Sequence, residues 1–261
     1  MNVKGIQRRC FRALLRAEER RGPVSETPGE TPLWGYGFRV AYPNRRIWLH
    51  QFLEIFNEDV YGTRRLPARP KVIDAGANVG MFSLHVLWRR PLARVTAVEP
   101  GATNLMYLER NLDVPGRAIE IRPVALSGQT GTARLVGDTS DSLRLVQSEG
   151  GGKTVRTAVL SELLVAPVDL LKIDVEGSEL DVLRGAGDRL QIVERVVLEA
   201  HDYRTRQADL PEILRLLQRS GFSRFRIYGN REYAWDNPDL PVHCCIVEAS
   251  RHARKKAWES I

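Results

Sequence analysis

Three acidic residues follow apolar runs in this sequence, at positions where a parallel sheet would present them along one edge. Asp74, Glu99 and Asp174 each lie at the end of such a run. Open α/β sheets bind their ligands at the carboxyl ends of the strands. A carboxylate there can accept hydrogen bonds from a ribose, pair with a cationic group or remove a proton from an acceptor.

The first acid precedes a glycine-containing turn in which Gly76, Asn78 and Gly80 lead into a helical pattern. Unpaired N–H groups at a helix N-terminus can hold the polar end of a nucleotide-like ligand. The spacing is not the three-glycine pattern of dinucleotide-binding proteins, and an acid on the turn would repel a pyrophosphate. Asp74 would suit the ammonium of S-adenosylmethionine. The alternative is an ordinary strand–turn–helix corner with a capping Asp74.

Glu99 ends the second apolar run, directly before Pro100. An acid at this strand tip can accept both hydroxyl hydrogens of an adenosine ribose. A surface glutamate at a strand end is the alternative. Because Asp74 and Glu99 occupy matching strand tips, the pair indicates a nucleoside site more strongly than either residue does.

A second acidic stretch contains Asp174, Glu176 and Glu179. Neighbouring carboxylates repel one another unless protons, cations or backbone donors compensate. Charge at a helix N-terminus accounts for Glu179 without a function. Asp174 is the first candidate for a catalytic base, followed by Glu176 and by His201, which comes after the next strand. A hydrogen-bonded loop histidine is the alternative for His201. Asp174 and Glu176 could instead bind a divalent metal, and the sequence does not decide between these options.

The composition is that of a soluble globular protein. The 261 residues are 43% hydrophobic and 27% charged, with three cysteines that form neither a disulfide framework nor a metal-binding pattern. No apolar run is long enough to cross a bilayer, and the N-terminus lacks the apolar segment of a secretory signal. The expected location is the cytoplasm.

The net charge is +7, and many of the basic residues lie near the two ends of the chain. Residues 4–20 have the periodicity of an amphipathic helix with a basic face. Such a helix can lie on an anionic membrane surface, or it can pack on its own domain or on a partner subunit. A generally Arg-rich soluble surface explains the charge, which disfavours nucleic acid as a partner. The sequence does not indicate an oligomeric state.

Strand and helix patterns alternate from Lys71 onward, which predicts an α/β fold with a doubly wound, mostly parallel sheet. The last two strands form an antiparallel hairpin in this interpretation. The predicted strands are Lys71–Asp74, Ala93–Glu99, Ala118–Leu126, Val168–Asp174, Arg195–Ala200, Phe222–Tyr228 and Val242–Ala249, and the predicted helices are Val79–Trp88, Asn104–Leu112, Ser178–Leu183 and Leu210–Arg219.

Three regions follow from this pattern. Residues 1–70 are an N-terminal helical and linker extension for substrate or partner contact, with a linker at 22–32 and a helix-like segment at Trp48–Tyr61. Residues 71–250 are the ligand-binding domain. An insertion of hairpins at 127–160 interrupts the alternation, and residues 251–261 are a basic tail.

Several motifs in this order resemble the FkbM-like family of S-adenosylmethionine-dependent methyltransferases. The resemblance is carried by Val72–Leu84, Val98–Pro100, Arg110–Leu112, Val124–Ser127, Leu170–Glu179 and Arg184–Ala186. It implies a class I methyltransferase fold, with Asp74–Gly80 at the methionine end of the cofactor, Glu99 at the ribose and Ala125 at the adenine. It also implies O-methylation of a small-molecule or glycan acceptor, at a hydroxyl of a sugar, glycolipid or secondary metabolite.

Two other classes of protein share parts of this pattern. A nicotinamide-dependent oxidoreductase has the same layers and an acid on the second strand, but the three-glycine pattern is missing. A non-catalytic module that binds a cofactor or nucleic acid would not need the acidic edge at Asp174-Val175-Glu176-Gly177.

Overall fold

The computed structural model describes residues 27–33, 36–137, 143–146, 152–202, 209–232 and 243–251. Its strands are β1 (Gly29–Leu33), β2 (Phe38–Tyr42), β3 (Lys71–Ala75), β4 (Arg94–Val98), β5 (Ala118–Arg122), β6 (Ala125–Ser127), β7 (Gly131–Val136), β8 (Arg144–Val146), β9 (Lys153–Val159), β10 (Leu170–Ile173), β11 (Arg195–Asp202), β12 (Arg224–Glu232) and β13 (His243–Ser250). Its α-helices are α1 (Arg45–Phe52), α2 (Met81–Arg89), α3 (Ala102–Leu112), α4 (Glu179–Ala186) and α5 (Leu210–Arg219).

Seven strands form the main sheet, in the order β12-β13-β11-β10-β3-β4-β5. Neighbouring strands from β11 to β5 are parallel, and β13 runs antiparallel between β11 and β12. The strand order reverses between β3 and β10, and such a switch point opens a crevice at the carboxyl edge. This topology confirms the predicted class I methyltransferase fold, including the C-terminal antiparallel hairpin.

The central strands form because their sequences are almost continuously apolar. Val72, Ile73, Leu170, Leu171 and Ile173 are 0% exposed, as expected for parallel strands that are covered on both faces. Helices α2, α3, α4 and α5 agree with the predicted helices to within a few residues at each end. The sheet therefore holds the carboxyl ends of β3, β4 and β10 next to one another.

The predicted third strand, Ala118–Leu126, is wrong as a single element. The chain forms β5 and then β6, which lie in different sheets, and Pro123 separates them. Proline has no backbone N–H and cannot donate to a strand ladder, which explains why the pairing breaks there. The change of sheet carries Ala125 towards the carboxyl edge of β4.

The described part of the predicted insertion forms a sheet of its own, in the order β6-β9-β7-β8. Strand β6 pairs in parallel with β9, and β7 pairs antiparallel with both β9 and β8. Residues 138–142 and 147–151 of the insertion lie outside the described residues. Within the described residues, the antiparallel pairing of β7 with β8 and β9 is the pairing that hairpins make.

The N-terminal extension packs into the same core as the main sheet. Helix α1 continues as a π-helix over Leu53–Glu58, and the rings of Trp48, Phe52 and Phe56 stack at 5.9 and 5.3 Å. The predicted linker at 22–32 is wrong over its last residues, because they belong to β1, which pairs with β2. The predicted amphipathic helix at 4–20 and the tail at 252–261 lie outside the described residues. Within the described part of the chain, no helix has the length and apolar content needed to cross a bilayer.

Candidate active site

A cavity of about 90 Å³, partly open to solvent, lies at the carboxyl edge of β3, β4 and β10. We refer to it as the central cavity. Its polar side chains and turn residues are Gln51, Gly76, Asn78, Glu99, Asn104, Asp174 and Glu176, and its apolar residues are Val98, Pro100, Val124, Ala125, Leu126, Leu135, Leu143, Leu145 and Val175. The cavity therefore has a polar side at the switch point and an apolar side towards the inserted sheet.

Glu99 presents a buried carboxylate at the tip of β4. Its Oε1 accepts from the N–H of Gly101 at 2.8 Å, and its Oε2 accepts from the N–H of Asn78 at 2.9 Å. The side chain of Asn104 also donates to Oε1, at 3.4 Å. Burial raises the pKa of Glu99 to about 7, although the two backbone N–H groups pull it the other way. The carboxylate is thus held rigidly while it lines the cavity.

The turn after β3 adopts backbone conformations that its residue types allow. Gly76 has a φ of +77°, and a Cβ there would lie 1.7 Å from the carbonyl oxygen of Asp174. Asn78 also adopts the left-handed region, at a φ of +51°, which asparagine tolerates better than most residues. Gly80, at +90°, precedes α2 and packs against Leu108. Gly76 and Asn78 line the central cavity, whereas Gly80 shapes the turn behind it.

Asp74 lies beneath this turn and is 0% exposed. Its Oδ2 accepts from the hydroxyl of Ser83 at 2.7 Å, and its Oδ1 lies 3.3 Å from Nζ of Lys172. Asp74 is not among the residues that line the central cavity. Its observed contacts therefore support the turn from below.

Lys172 is a buried cation in the middle of β10. Its Nζ donates to the carbonyl oxygen of Gly76 at 2.6 Å and lies 3.3 Å from Oδ2 of Asp174. Burial alone would lower the pKa of Lys172, but the carboxylates of Asp174 and Asp74 outweigh it and raise the pKa above its ordinary value. A lone lysine inside an apolar strand was the available sequence signal, since such a cation needs buried acids around it.

Asp174 and Glu176 bring two carboxylates to the cavity from the turn after β10. The side chains are 26% and 24% exposed, so both are reachable from solvent. Glu176 has a φ of +55°, which is unusual for a residue other than glycine and is found more often at functional sites. The structure brings these two acids together with Glu99 at one edge.

His201 lies behind these acids, with its side chain 6% exposed. Its Nδ1 lies 2.9 Å from Oε1 of Glu179, and its Nε2 lies 3.8 Å from Oε2 of Glu176. Burial alone would lower the pKa of His201, but Glu176 and Glu179 outweigh it and raise the pKa well above 6.5. The raised pKa therefore favours the protonated form of His201 in this arrangement.

Glu179 does more than supply charge at the start of α4. Its Oε1 accepts from the N–H of Gly177 at 3.0 Å as well as contacting His201. A single buried carboxylate thus joins the turn after β10 to the end of β11. The sequence could not show this contact, because the two segments are far apart in the chain.

Tyr61 and Glu199 extend the polar network towards the N-terminal part of the chain. The Tyr61 hydroxyl donates to Oε1 of Glu199 at 2.5 Å, and the Lys172 ammonium lies 5.6 Å from the Tyr61 ring. Burial raises the pKa of Glu199, and the nearby Asp174 carboxylate adds to the shift. Neither residue carried a sequence motif that would have singled it out.

The apolar side of the cavity is formed by residues on and next to β6, β7 and β8. Ala125, 2% exposed, lines this side of the cavity next to Leu126. Leu135 and Leu145 face each other across the β7–β8 pair, and Leu143 precedes β8. The inserted sheet therefore supplies one wall of the central cavity.

The residues present fit S-adenosylmethionine chemically. The apolar side of the cavity suits a purine ring, and the Glu99 carboxylate suits ribose hydroxyls. The turn at Gly76 lets the backbone approach a ligand closely. Asp174 and Glu176 lie on the same side as the turn. The donor set thus matches a nucleoside with a charged, flexible end.

Two groups of side chains have the spacing of a metal site among the described residues. One consists of Asp174, Glu176 and His201, and the other of Glu199, His201 and Cys244, with ligand atoms within 4.8 Å of one another in each group. His201 belongs to both. A divalent ion there would have to displace the proton of His201, because a ligating imidazole is neutral.

The chain is similar in sequence to several known methyltransferases. The chain is 29% identical over 227 residues to the 31-O-demethyl-FK506 methyltransferase FkbM of Streptomyces tacrolimicus, covering 72% of this chain and 86% of that protein. It is 33% identical over 135 residues to the hexuronic acid methyltransferase AglP of Haloferax volcanii, covering 49% and 54%.

A third relative is much longer than this chain. The AMB antimetabolite synthetase AmbE of Pseudomonas aeruginosa is 32% identical over 215 residues, which cover 64% of this chain but only 10% of that protein. The family model described as the methyltransferase FkbM domain matches residues 74–224, which include the end of β3, the inserted sheet, β10 and β11. The chain belongs to the FkbM family of S-adenosylmethionine-dependent methyltransferases.

Proposed function

We propose that this chain transfers the methyl group of S-adenosylmethionine to a hydroxyl oxygen on a sugar, a glycolipid or a secondary metabolite. The observation that carries the proposal is the shared cavity of Glu99 and Asp174, which lies at the switch point of the sheet. One acid is buried and rigidly held, and the other is open to solvent. The two are thus suited to different tasks, cofactor binding and chemistry.

Cofactor binding divides among three parts of the cavity in this proposal. Glu99 accepts hydrogen bonds from the ribose, the residues around Ala125 contact the adenine, and the Gly76–Gly80 turn holds the methionine end. Asp74 takes part through the turn, because Lys172 links its carboxylate to the Gly76 carbonyl. When bound, S-adenosylmethionine supplies a methyl group that is already activated by its sulfonium.

Asp174 is the proposed general base. An alcohol must lose its proton as its oxygen attacks, so a carboxylate within reach of the acceptor is needed. Asp174 lines the cavity and keeps one oxygen near Lys172, an ion pair that fixes the side chain. The chain's other contribution is alignment, since an in-line transfer depends on holding the two reactants in one geometry.

Glu176 and His201 are assigned supporting roles. The raised pKa of His201 disfavours this residue as the base, and its contacts hold the imidazole against Glu179 and Glu176. The Glu176 carboxylate balances the positive charge of a protonated His201, and it lines the central cavity. In a second arrangement, Asp174, Glu176 and His201 would hold a divalent ion, which would lower the pKa of the acceptor hydroxyl.

The acceptor class rests on the relatives. Their names describe methylation of a demethylated FK506 and of a hexuronic acid, which supports a small-molecule or glycan hydroxyl. Membership of a methyltransferase family also leaves no support for the nicotinamide-dependent alternative.

A lipid-linked glycan would fit the basic, amphipathic pattern of residues 4–20, and deletion of residues 1–21 should then weaken binding to anionic liposomes. Unchanged binding would contradict the membrane contact.

The test of the proposed function is a methyl-transfer screen with labelled S-adenosylmethionine over glycan and natural-product alcohols. With an accepted substrate, Asp174→Asn should lower kcat by about 100-fold or more while leaving the affinity for S-adenosylhomocysteine largely intact. Asp181→Asn, which changes an acid on α4 paired with Arg184, is the matched control and should keep full activity. Normal turnover of Asp174→Asn would refute the base assignment.

A further inference from the structure

Gln51 places an amide at the central cavity from the N-terminal part of the chain. It lines the cavity together with Gly76, Asn78 and Glu99, although it precedes the family-matched region. Neither its residue type nor its spacing pointed to a site. Only the packing of α1 onto the sheet brings it to the same edge as the acids.

The oxygen of this amide has a hydrogen-bonding capacity that the described residues do not use. Oε1 of Gln51 is buried, and no hydrogen-bond donor among the described residues reaches it. Trp48 also has a buried polar atom without such a partner, but it stacks between aromatic rings and does not line the cavity. A buried oxygen without a donor costs free energy, and a ligand in the cavity that Gln51 lines can supply that donor.

Helix α1 holds Gln51 firmly in this position. Trp48 and Phe52, one turn before and one residue after it, are 1% and 0% exposed and anchor the helix in the core. At the start of the helix, Oδ1 of Asn44 accepts from the N–H groups of Arg46 and Ile47 at 2.9 and 3.2 Å. The amide is thus presented from a rigid element rather than from a loop.

We propose that Oε1 of Gln51 accepts a hydrogen bond from the ribose or the methionine ammonium of bound S-adenosylmethionine. The inference rests on the proposed function and extends it to a residue outside the family motifs. These groups are the hydrogen-bond donors of the cofactor's polar half, and Gln51 lines the same cavity as Glu99 and the Gly76 turn, which are proposed to bind that half. The apolar side is suited to the adenine ring.

Calorimetry with S-adenosylhomocysteine tests the proposal without any methyl acceptor. Gln51→Leu removes the amide oxygen at similar size, and Gln51→Met is a second variant of similar length. Both should bind the ligand about tenfold more weakly than the wild type, the loss expected for one buried hydrogen bond. Gln218→Leu, which changes an exposed glutamine on α5, should bind like the wild type.

The melting temperature of each ligand-free variant shows whether the fold survives, and a variant that does not fold is replaced by the other. Equal affinity of the wild type and of folded Gln51 variants would overturn the inference and leave the proposed function standing. So would a Gln51 variant whose only defect is a higher KM for the acceptor. Absence of binding to the wild type would instead overturn the proposed function itself.

A truncated ligand then locates the hydrogen bond. Methylthioadenosine keeps the ribose but lacks the amino-acid end of the cofactor. Weaker binding of methylthioadenosine to the variants supports a contact with the ribose. A loss confined to S-adenosylhomocysteine supports a contact with the ammonium. Equal affinity of the variants and the wild type for both ligands would contradict the proposal.

Discussion

The ammonium of Lys172 lies 2.6 Å from the carbonyl oxygen of Gly76, and this contact joins the two strands on either side of the switch point. The same ammonium lies 3.3 Å from both Asp74 and Asp174. One buried cation is thus shared between an acid under the turn and an acid in the cavity. The geometry of the cofactor turn and of the proposed base depend on the same side chain.

Replacement of Lys172 by methionine should destabilise the fold strongly. It keeps much of the side-chain volume but leaves the fully buried Asp74 without its cation, and breaking a buried ion pair typically costs about 3–5 kcal/mol. Urea unfolding would measure the loss. Lys153→Met, at an exposed position of β9, is the control and should change stability little.

A compensating change separates charge from packing at this position. In Lys172→Met combined with Asp74→Asn, no uncompensated charge remains at the buried position of Asp74, so part of the lost stability should return. If the double variant is less stable than the single one, packing rather than charge explains the effect of Lys172.

The buried Glu99 should make cofactor affinity depend on pH. Its pKa of about 7 means that the carboxylate, the better acceptor for ribose hydroxyls, becomes the main form only above neutrality. Affinity for S-adenosylhomocysteine should therefore rise by roughly tenfold between pH 6 and pH 8. Calorimetry between pH 6 and pH 8 measures how the affinity changes with pH. Glu99→Gln should bind S-adenosylhomocysteine more weakly, and its affinity should not depend on pH in this range. A Glu99→Gln variant with the wild-type slope would show that another group is responsible.

The same carboxyl should affect the stability of the ligand-free protein in the opposite direction. Its folded pKa of about 7 exceeds the ordinary value of 4.5, so the folded state holds the proton more tightly. This contribution, up to about 3 kcal/mol, is complete below pH 4.5 and is lost as the pH rises through 7. Without ligand, the melting temperature of the wild type should therefore fall relative to that of Glu99→Gln as the pH rises from 5 to 8. The comparison uses the pH dependence, because the amide of Glu99→Gln also loses one of the two backbone hydrogen bonds. Parallel pH profiles of the two proteins would count against an energetic penalty at Glu99.

The inserted sheet should contribute directly to cofactor affinity. Leu145 lines the apolar side of the cavity, so Leu145→Asn replaces apolar contact with an amide and should weaken S-adenosylhomocysteine binding about fivefold. Calorimetry measures this, and Leu92→Asn, at a position 56% exposed, is the control. If Leu145→Asn binds S-adenosylhomocysteine with unchanged affinity, the inserted sheet does not contribute to cofactor binding through Leu145. Its role would then lie in acceptor binding or in folding.

Chelation distinguishes the two proposed ways of activating the acceptor. Lys172 already compensates Asp174, and Glu179 already holds His201, so we expect turnover to survive dialysis against EDTA. Turnover before and after dialysis, with Mg²⁺ or Mn²⁺ added back, is the measurement. If dialysis abolishes turnover and the added ions restore it, Asp174 does not act as a base by itself. The metal arrangement at Asp174, Glu176 and His201 would then be the correct one.

Much of the site was readable because its signals are local. The turn at Gly76–Gly80 and the acids Glu99, Asp174 and Glu176 each follow a strand that its own apolar residues define. Parallel strands end at a common edge, so their meeting at one cavity could be expected. The break at Pro123 was a local signal that the sequence interpretation did not use, and the prediction of one strand there was wrong.

The sequence by itself determined the α/β alternation, the carboxyl edge that carries the acids and the motifs that place the chain in its family. Only the tertiary structure decided that Gln51 and Leu145 border the same cavity, that Lys172 links Asp74 to Asp174, and that Glu179 holds His201. The physical reason is that these contacts join segments far apart in the chain. Such pairs leave no periodicity or spacing in the sequence, because burial and charge compensation arise only when the layers pack together.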